Sequence, residues 1–417
     1  MKCYVEVYGC TANKSDASIV KGLIQNHPSF ELVDNCELAD IFIILTCTVI
    51  DTTEQRMLHR IQVLAQTNKK LVIAGCMASV QQEAIRKLYP QAILIEPRNI
   101  HNLLDVLDHV DQEKTLDMKS QISKSYDDLI APVMIAEGCL FSCHYCITHL
   151  ARGSLHSYPE QAIIDRINEA ISQGCREIQL TAQDTASYGI DTQSSLPNLL
   201  KRIIRLEGKF MIRIGMMNPR TAKRIHKELT VLFQNDHIYS FLHLPIQSGD
   251  NIILERMNRG YFIEEAYEII NDLRSMDSDL TLSTDVIVGY PGESTDQFEK
   301  TKQMLKKIQP DIVNITRFSA RPKTKAKRMP NRIPTELVKK RSKDLTIICK
   351  NLMQKRNKRY IGRRMSVVSL KKGTDKSVLC RSKNYKPVVI KKPLSIGETY
   401  SVEIIDATDT HLVGMLK

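Results

Sequence analysis

Tryptophan is absent from this 417-residue chain, and aromatic residues make up only 6% of it; neither fact decides a fold class. No apolar run approaches the roughly 20 residues that a membrane-spanning helix needs; the run Ile41–Leu45 is typical of what is present. The N-terminal stretch MKCYVEVYGC has no signal-peptide core. Cysteine numbers eleven, an odd count, so the chain reads as a protein of a reducing cytosol, its thiols serving as metal ligands or core residues rather than disulfides. Solenoid repeats and low-complexity tracts are also missing. Hydrophobic residues at 42% and charged residues at 25% are ordinary for a soluble globular protein, and the length predicts two to three domains.

Acid is scarce in one region. Residues 317–417 hold 27 Lys and Arg against 7 Asp and Glu, a net of +20, whereas the other 316 residues hold 32 against 40, a net of −8. A basic quarter on an acidic body reads as an anion-binding appendage, nucleic acid foremost.

The cysteines that carry chemistry form two sets. Cys139, Cys143 and Cys146 lie in the run CLFSCHYC. Three thiolates within eight residues hold three corners of a 4Fe-4S cube, and the fourth iron is left for a small molecule with amine and carboxylate groups, such as S-adenosylmethionine (SAM). Zinc sites favour paired CxxC motifs, and two-cluster ferredoxins need a fourth nearby Cys followed by Pro; neither pattern occurs. The second set is spread out. Cys10, Cys47 and Cys76 each follow a β-rich run (VEVYGC, IFIILTC, LVIAGC). In an open α/β sheet, ligands gather beyond the carboxyl ends of the strands, so these three are expected to converge on a second site with one open position.

Strand and helix signals alternate over 1–110, predicting a doubly wound α/β domain on a parallel sheet. Polar residues 111–131 read as a linker. Six further strand–helix units follow over 132–356, too few for a closed eight-fold barrel, so a partial (βα)6 barrel is expected. Residues 335–358 read as a basic helix, and five short strands over 357–417 predict a small closed β-barrel.

These residues together resemble the radical SAM methylthiotransferase family over nearly the whole chain. The matching segments are YGCTANKSD, TCTV, AGCM and GCLFSCHYCI around the cysteines, then LTAQDTASYG (180–189), RIGMMNP (213–219), HLPIQSGDNIILERMNRGY (243–261) and DVIVGYPGES (285–294). One departure stands out: Leu45 precedes Thr46 and Cys47 where the family usually has Asn. The resemblance implies two 4Fe-4S clusters. One, on Cys139, Cys143 and Cys146, binds and cleaves SAM to a 5′-deoxyadenosyl radical. The other, on Cys10, Cys47 and Cys76, carries the sulfur to be methylated and inserted at an unactivated carbon. It also implies a C-terminal RNA-binding barrel of the TRAM type. TCTVIDTTEQRML and LTAQDTASYG look like the archaeal and eukaryotic branch, which acts on N6-threonylcarbamoyladenosine beside the tRNA anticodon. Partners implied are therefore the anticodon stem-loop, a sulfur donor and an electron donor, with no membrane, in the cytoplasm. The alternatives are isopentenyladenosine in tRNA or an aspartate of a ribosomal protein as target, and a non-catalytic iron–sulfur RNA-binding protein.

The remaining candidates follow from position. Gln183 and Asp184 lie just past a core strand, at the catalytic end of a barrel, and Asp184 is equally suited to cap a helix. Arg213 sits within a strand, where a SAM carboxylate or a local acid must meet it. Gln247 lies at another strand end, Asp285 opens the run DVIVGYPGE, whose Gly289 and Gly292 permit a tight turn near a ligand, and Tyr145 lies inside the cysteine run. All are expected cofactor contacts. Arg356, Lys358, Arg359, Arg363 and Arg364 are expected to neutralise phosphates, and Tyr360, with Tyr385, to stack on bases.

Overall fold

The computed structural model describes residues 1–49, 51–67, 69–108, 116–126 and 128–417. The expected linker residues 111–115 and 127, and residues 109 and 110 at the end of the expected α/β domain, fall outside them.

The first layer is a parallel sheet built from β1 (Lys2–Val7), β2 (Glu31–Leu32), β3 (Ile41–Thr46), β4 (Lys70–Gly75) and β5 (Ile93–Ile95), in the order β2-β1-β3-β4-β5. Helices α1 (Thr11–Gln25), α2 (Asp51–Ala65), α3 (Cys76–Val80), α4 (Gln82–Leu88) and α5 (Leu103–Asp108) cover it. β3 and β4 are almost continuously buried because apolar clusters lie on both faces, one around Ile43 and Val72 and the other around Ile44 and Ile73.

The linker reading is overturned where the structure describes it. Residues 116–121 form α6 (Leu116–Gln121), and Ile130 opens the next strand. Lys119 is 1% exposed, its ammonium 2.8 Å from Asp16 and 2.7 Å from Glu137. A polar composition looked like solvated chain, but here the polar groups are ion-paired inside an interface.

The second layer holds β6 (Ile130–Met134), the short pair β7 (Ala136–Glu137) and β8 (His156–Ser157), α7 (Thr148–Arg152), α8 (Glu160–Ser172), β9 (Glu177–Thr181), α9 (Leu196–Ile203), β10 (Met211–Ile214), α10 (Pro219–Leu232), β11 (Phe241–His243), α11 (Asn251–Arg256), α12 (Ile263–Met276), β12 (Thr281–Val288), α13 (Thr295–Ile308) and β13 (Ile312–Arg317). Its six long-axis strands are all parallel and fall into two sheets, β10-β9-β6 and β11-β12-β13, joined by a single bridge at Ile212 and Ile238. This is the open, partial barrel expected. After it, α14 (Thr335–Lys358) leads to β14 (Arg364–Lys372), β15 (Val378–Ser382), β16 (Pro387–Ile390), β17 (Thr399–Ala407) and β18 (Leu412–Leu416), closed in the order β14-β15-β16-β18-β17.

The small barrel is plugged into the larger one. Its β15–β16 turn carries Tyr385 in a left-handed conformation, φ 62°, and presses the ring against Phe241 at 4.5 Å and Tyr239 at 4.9 Å. Lys383 Nζ donates to the Ile238 carbonyl at 2.6 Å, and Lys386 Nζ lies 2.7 Å from Asp311. Among the described residues, no helix is long and apolar enough to cross a membrane.

Candidate iron–sulfur sites

β1, β3 and β4 are neighbours in the sheet, so their carboxyl ends lie side by side, about 5 Å apart in sequence of strands. Cys10 caps α1, Cys47 follows β3, and Cys76 is the first residue of α3. Two glycines allow the approach. A β-carbon on Gly9 (φ 100°) would sit 2.5 Å from that of Cys47, and one on Gly75 (φ 92°) would sit 2.6 Å from the Thr46 carbonyl oxygen. Asn13 ties the loops together, donating to the carbonyls of Tyr8 at 2.7 Å and Thr46 at 2.8 Å. Leu45, fully buried among the apolar residues under the sheet, thus leaves these hydrogen bonds to a carboxamide on α1. Cys10 is exposed while Cys47 and Cys76 are 6% and 3% exposed, so the site opens on the Cys10 side.

The other run, 139–146, is an irregular loop held from several sides. The Cys139 N–H donates to the Gly153 carbonyl at 3.0 Å, and the Gly138 N–H to Gln183 Oε1 at 2.6 Å. Asn258 holds the Ser142 carbonyl at 3.0 Å, and the main chain of His144 is gripped by Met257 and Ala326. Arg259, 6% exposed, points Nη1 at the Cys143 sulfur at 3.5 Å and Nη2 at the Pro245 carbonyl at 2.7 Å.

The residues fit iron–sulfur clusters. Each set offers three soft sulfur donors, and main-chain N–H groups are aimed at the sulfurs: Phe141 at Cys139, Thr48 and Val49 at Cys47, and Thr148 and His149 at Cys146. Such hydrogen bonds stabilise negative sulfur and help set cluster potentials. Without metal, burial pushes the Cys76 and Cys139 thiols up to about 12, with Arg152 pulling Cys76 the other way. A buried thiol of that kind is ionised by coordination, not by solvent.

Arg152 connects the two sites. It is fully buried, donates to Glu137 at 2.7 Å, Asp16 at 2.6 Å and Asn13 at 3.0 Å, and hydrogen-bonds Cys76. Tyr158 adds a hydrogen bond to Glu137 at 3.0 Å. Apolar contact follows the same line, since Cys76 and Val80 pack on Ile147 and Ala151. Across the other side, Arg321 pairs with Glu54 and donates to Thr48 Oγ1 at 3.2 Å, next to Cys47. Sequence reasoning missed Arg152, Arg259 and Arg321. Arg152 and Arg259 had a readable signal, each an arginine within a few residues of a cysteine run or a matched motif.

Other expected contacts are redistributed. Tyr145 packs against Ile253, Met257, Tyr290 and Ala326, beside the run that contains it. Gln183 is adjacent to the cysteine loop and holds it, as described. Asp184 is a structural cap: its oxygens accept from the Ala186 and Asn218 N–H groups and from Thr221 Oγ1 at 3.2, 3.0 and 2.7 Å, and burial lifts its pKa to about 6. That leaves it committed within the fold rather than to a cofactor. Among the described residues no acid forms an ion pair with Arg213; its guanidinium lies 5.0 Å from the ring of Phe241 and 6.0 Å from that of Tyr385. Gln247 takes φ 77°, and its main chain bridges Asp285 and Ile287. Burial would raise the Asp285 carboxyl, but His243 at 3.2 Å and Asn314 at 2.7 Å hold it below its usual range.

Three of the expected RNA contacts are corrected. Tyr360 is 1% exposed, with its hydroxyl taking a hydrogen bond from Asn384 at 2.8 Å, and Arg356 is 6% exposed and bonded to Asp311 at 2.7 Å. Both are locked where α14 and the small barrel meet the core, because burying an apolar ring and pairing a cation there stabilises the junction. Tyr385 is committed in the same way. Lys358, Arg359, Arg363 and Arg364 are exposed, and Arg363 is paired with Asp279 at 3.0 Å.

Residues 2–96 match the sequence profile described as Uncharacterized protein family UPF0004, and 133–305 match the Radical SAM superfamily. A probable threonylcarbamoyladenosine tRNA methylthiotransferase of Archaeoglobus fulgidus is 38% identical over 100% of this chain and 99% of its own length. That of Methanocaldococcus jannaschii is 38% identical, over 100% and 97%. The human threonylcarbamoyladenosine tRNA methylthiotransferase is 28% identical, over 97% and 72%. Among solved structures, the radical SAM methyltransferase TsrM of Kitasatospora setae, with cobalamin and a [4Fe-4S] cluster bound, superposes with a TM-score of 0.57 at 10% identity, covering 78% of this chain and 76% of that one. The cobalamin-dependent radical enzyme OxsB gives 0.56 at 12% identity, over 83% and 56%. At these identities the likeness is one of fold.

Proposed function

We propose that this chain, which belongs to the radical SAM methylthiotransferase family, converts N6-threonylcarbamoyladenosine beside the anticodon of tRNA to its 2-methylthio derivative. It is a radical SAM sulfur-inserting enzyme that uses two 4Fe-4S clusters and SAM. The observation that carries the reading is the direct tie between the two cysteine sets: a buried arginine after one set bonds the helix and the cysteine of the other.

The bound groups supply reductive cleavage of SAM at one cluster and transferable sulfur at the other. Cys139, Cys143 and Cys146 hold the first, and Cys10, Cys47 and Cys76 the second. Arg259 places positive charge on the Cys143 sulfur, favouring the reduced, more negative state. Gln183 and Asn258 keep the loop from shifting. Tyr145 and Tyr290 form an apolar wall beside the cysteine loop that excludes water from a radical. Arg152, Asp16, Glu137 and Lys119 hold the two layers in one geometry, which a transfer between two fixed sites requires.

The test is anaerobic reconstitution with iron and sulfide, then incubation with SAM, dithionite and tRNA carrying the nucleoside, read by nucleoside mass spectrometry. A methylthio mass increment that disappears in Cys10→Ala and in Cys143→Ala supports the reading. Cleavage of SAM without that increment removes the substrate, and absence of cleavage removes the enzyme.

A further inference from the structure

Between Asp311 and Glu336 the chain carries seven cations and no acid, all within 317–332. This strap leaves the carboxyl end of β13 and crosses the pole where both cysteine sets lie. It is pinned at three places. Arg321, 5% exposed, is bonded to Thr48 beside Cys47. The Ala326 N–H donates at 2.8 Å to the carbonyl of His144, the neighbour of Cys143, and Ala326 is buried against Tyr145 and Tyr290. The Asn331 carbonyl accepts from the Gly292 N–H at 2.9 Å.

Between these anchors Lys323, Lys325, Lys327 and Arg328 project outward and are exposed, with no ion pair to any described residue. Lys323 is held at φ 61°, a conformation that costs a lysine about 1 kcal/mol or more and that a glycine would accept freely. On the barrel, Lys386 and Arg381 are buried against Asp311 and Glu177, and Arg363 and Lys371 form exposed pairs with Asp279 and Asp128, while Lys372, Lys376, Lys391 and Lys392 are exposed with no ion pair to any described residue. Unpaired positive charge therefore stands at the pole of the two cysteine sets as well as on the barrel.

We propose that the strap is a phosphate grip at the pole of the two cysteine sets, with Lys323, Lys325, Lys327 and Arg328 neutralising the RNA backbone on either side of the presented nucleotide. The proposal rests on the reading of tRNA as substrate. Four exposed cations without acids or aromatic partners among the described residues read no base; they hold a backbone in register. A base entering between the cysteine sites has to bring its flanking phosphates over this strap.

The experiment uses the full, reconstituted chain and unmodified tRNA transcript, with affinity measured by anisotropy across a salt series. The variant is Lys323→Gly, Lys325→Gln, Lys327→Gln and Arg328→Gln together, and the control is Lys391→Gln with Lys392→Gln, two exposed lysines of the barrel. The strap variant is expected to bind roughly ten-fold or more weakly near 100 mM salt, with the slope of log affinity against log salt reduced by about three. Cluster absorbance checks its folding, and Lys325→Gln alone, expected to lower the slope by roughly 0.7 to 0.9, stands in if the quadruple variant misfolds. Unchanged affinity and slope in the strap variant overturns the strap, whatever the barrel variant shows. A wild-type chain that binds no tRNA overturns the substrate reading as well, so the two failures are told apart.

Discussion

Arg152 stands six residues after Cys146 and Asp16 six residues after Cys10, and the two meet in an ion pair of 2.6 Å with side chains 0% and 1% exposed. Each residue is thus carried by the first helix after its own cysteine site. The pair is part of a balanced buried quartet, two cations (Arg152, Lys119) and two anions (Asp16, Glu137).

Removing one member leaves buried charge uncompensated. Arg152→Met is expected to lower the unfolding free energy by about 3–5 kcal/mol, read from urea denaturation. Burial alone would raise the Glu137 carboxyl, but Lys119 and Arg152 depress it well below its ordinary value. Its stabilising effect is present above the unfolded carboxylate pKa and is lost as pH falls below that toward the depressed value, so acid unfolding of the wild type is expected to be steeper than that of Glu137→Gln.

Asp184 gives the opposite sign. Burial raises its pKa to about 6 from 3.8, so the folded state holds a proton that the unfolded state releases. Stability from this group is full below about pH 4 and falls through the window from 4 to 6. Asp184→Asn, which keeps the acceptor for the Asn218 and Ala186 N–H groups, is expected to be more stable than wild type at pH 7 relative to pH 4, by up to roughly 3 kcal/mol. Thermal melts of both proteins at the two pH values measure it.

Gly9→Ala places a β-carbon against Cys47 at a positive φ. The expected result is loss of the cluster on Cys10, Cys47 and Cys76 with retention of the other, so that iron and sulfide per chain fall by half while SAM cleavage persists.

Arg259→Met withdraws a charged hydrogen bond from Cys143. A bond of that class is worth roughly 1.5–3 kcal/mol. The midpoint potential of that cluster is expected to shift negative by about 60–130 mV for one electron, checked by redox titration with electron paramagnetic resonance.

Tyr360→Ala is expected to destabilise the junction by about 3–5 kcal/mol and to leave the salt dependence of RNA binding unchanged, since the ring is buried. Denaturation and anisotropy together check both halves.

Much of the fold was readable because its signals are local. Strand–helix alternation, the spacing of Cys139, Cys143 and Cys146, and the five short β runs near the end each lie within a few tens of residues. The strands over 177–181 and 281–288 and the helix over 335–358 lie where periodicity placed them. The segment 116–121 was misread because composition reports polarity and not whether an opposite charge from Asp16 waits across an interface. Tyr360 was misread for a related reason, as an aromatic in a basic tail looks the same whether it faces RNA or Asp279.

By itself, the sequence determined the kind of chemistry: soft sulfur donors in threes, glycines before Cys10 and Cys76, and a basic final quarter are facts of residue type and short spacing. Only the tertiary structure decided which charges are spent and which are free. A buried ion pair joins residues more than a hundred positions apart and depends on the desolvated geometry at their meeting point. That geometry turned Arg152 into the tie between two sites, buried Lys386 and Arg381 of the barrel in ion pairs, and left Lys323, Lys325, Lys327 and Arg328 of the strap exposed.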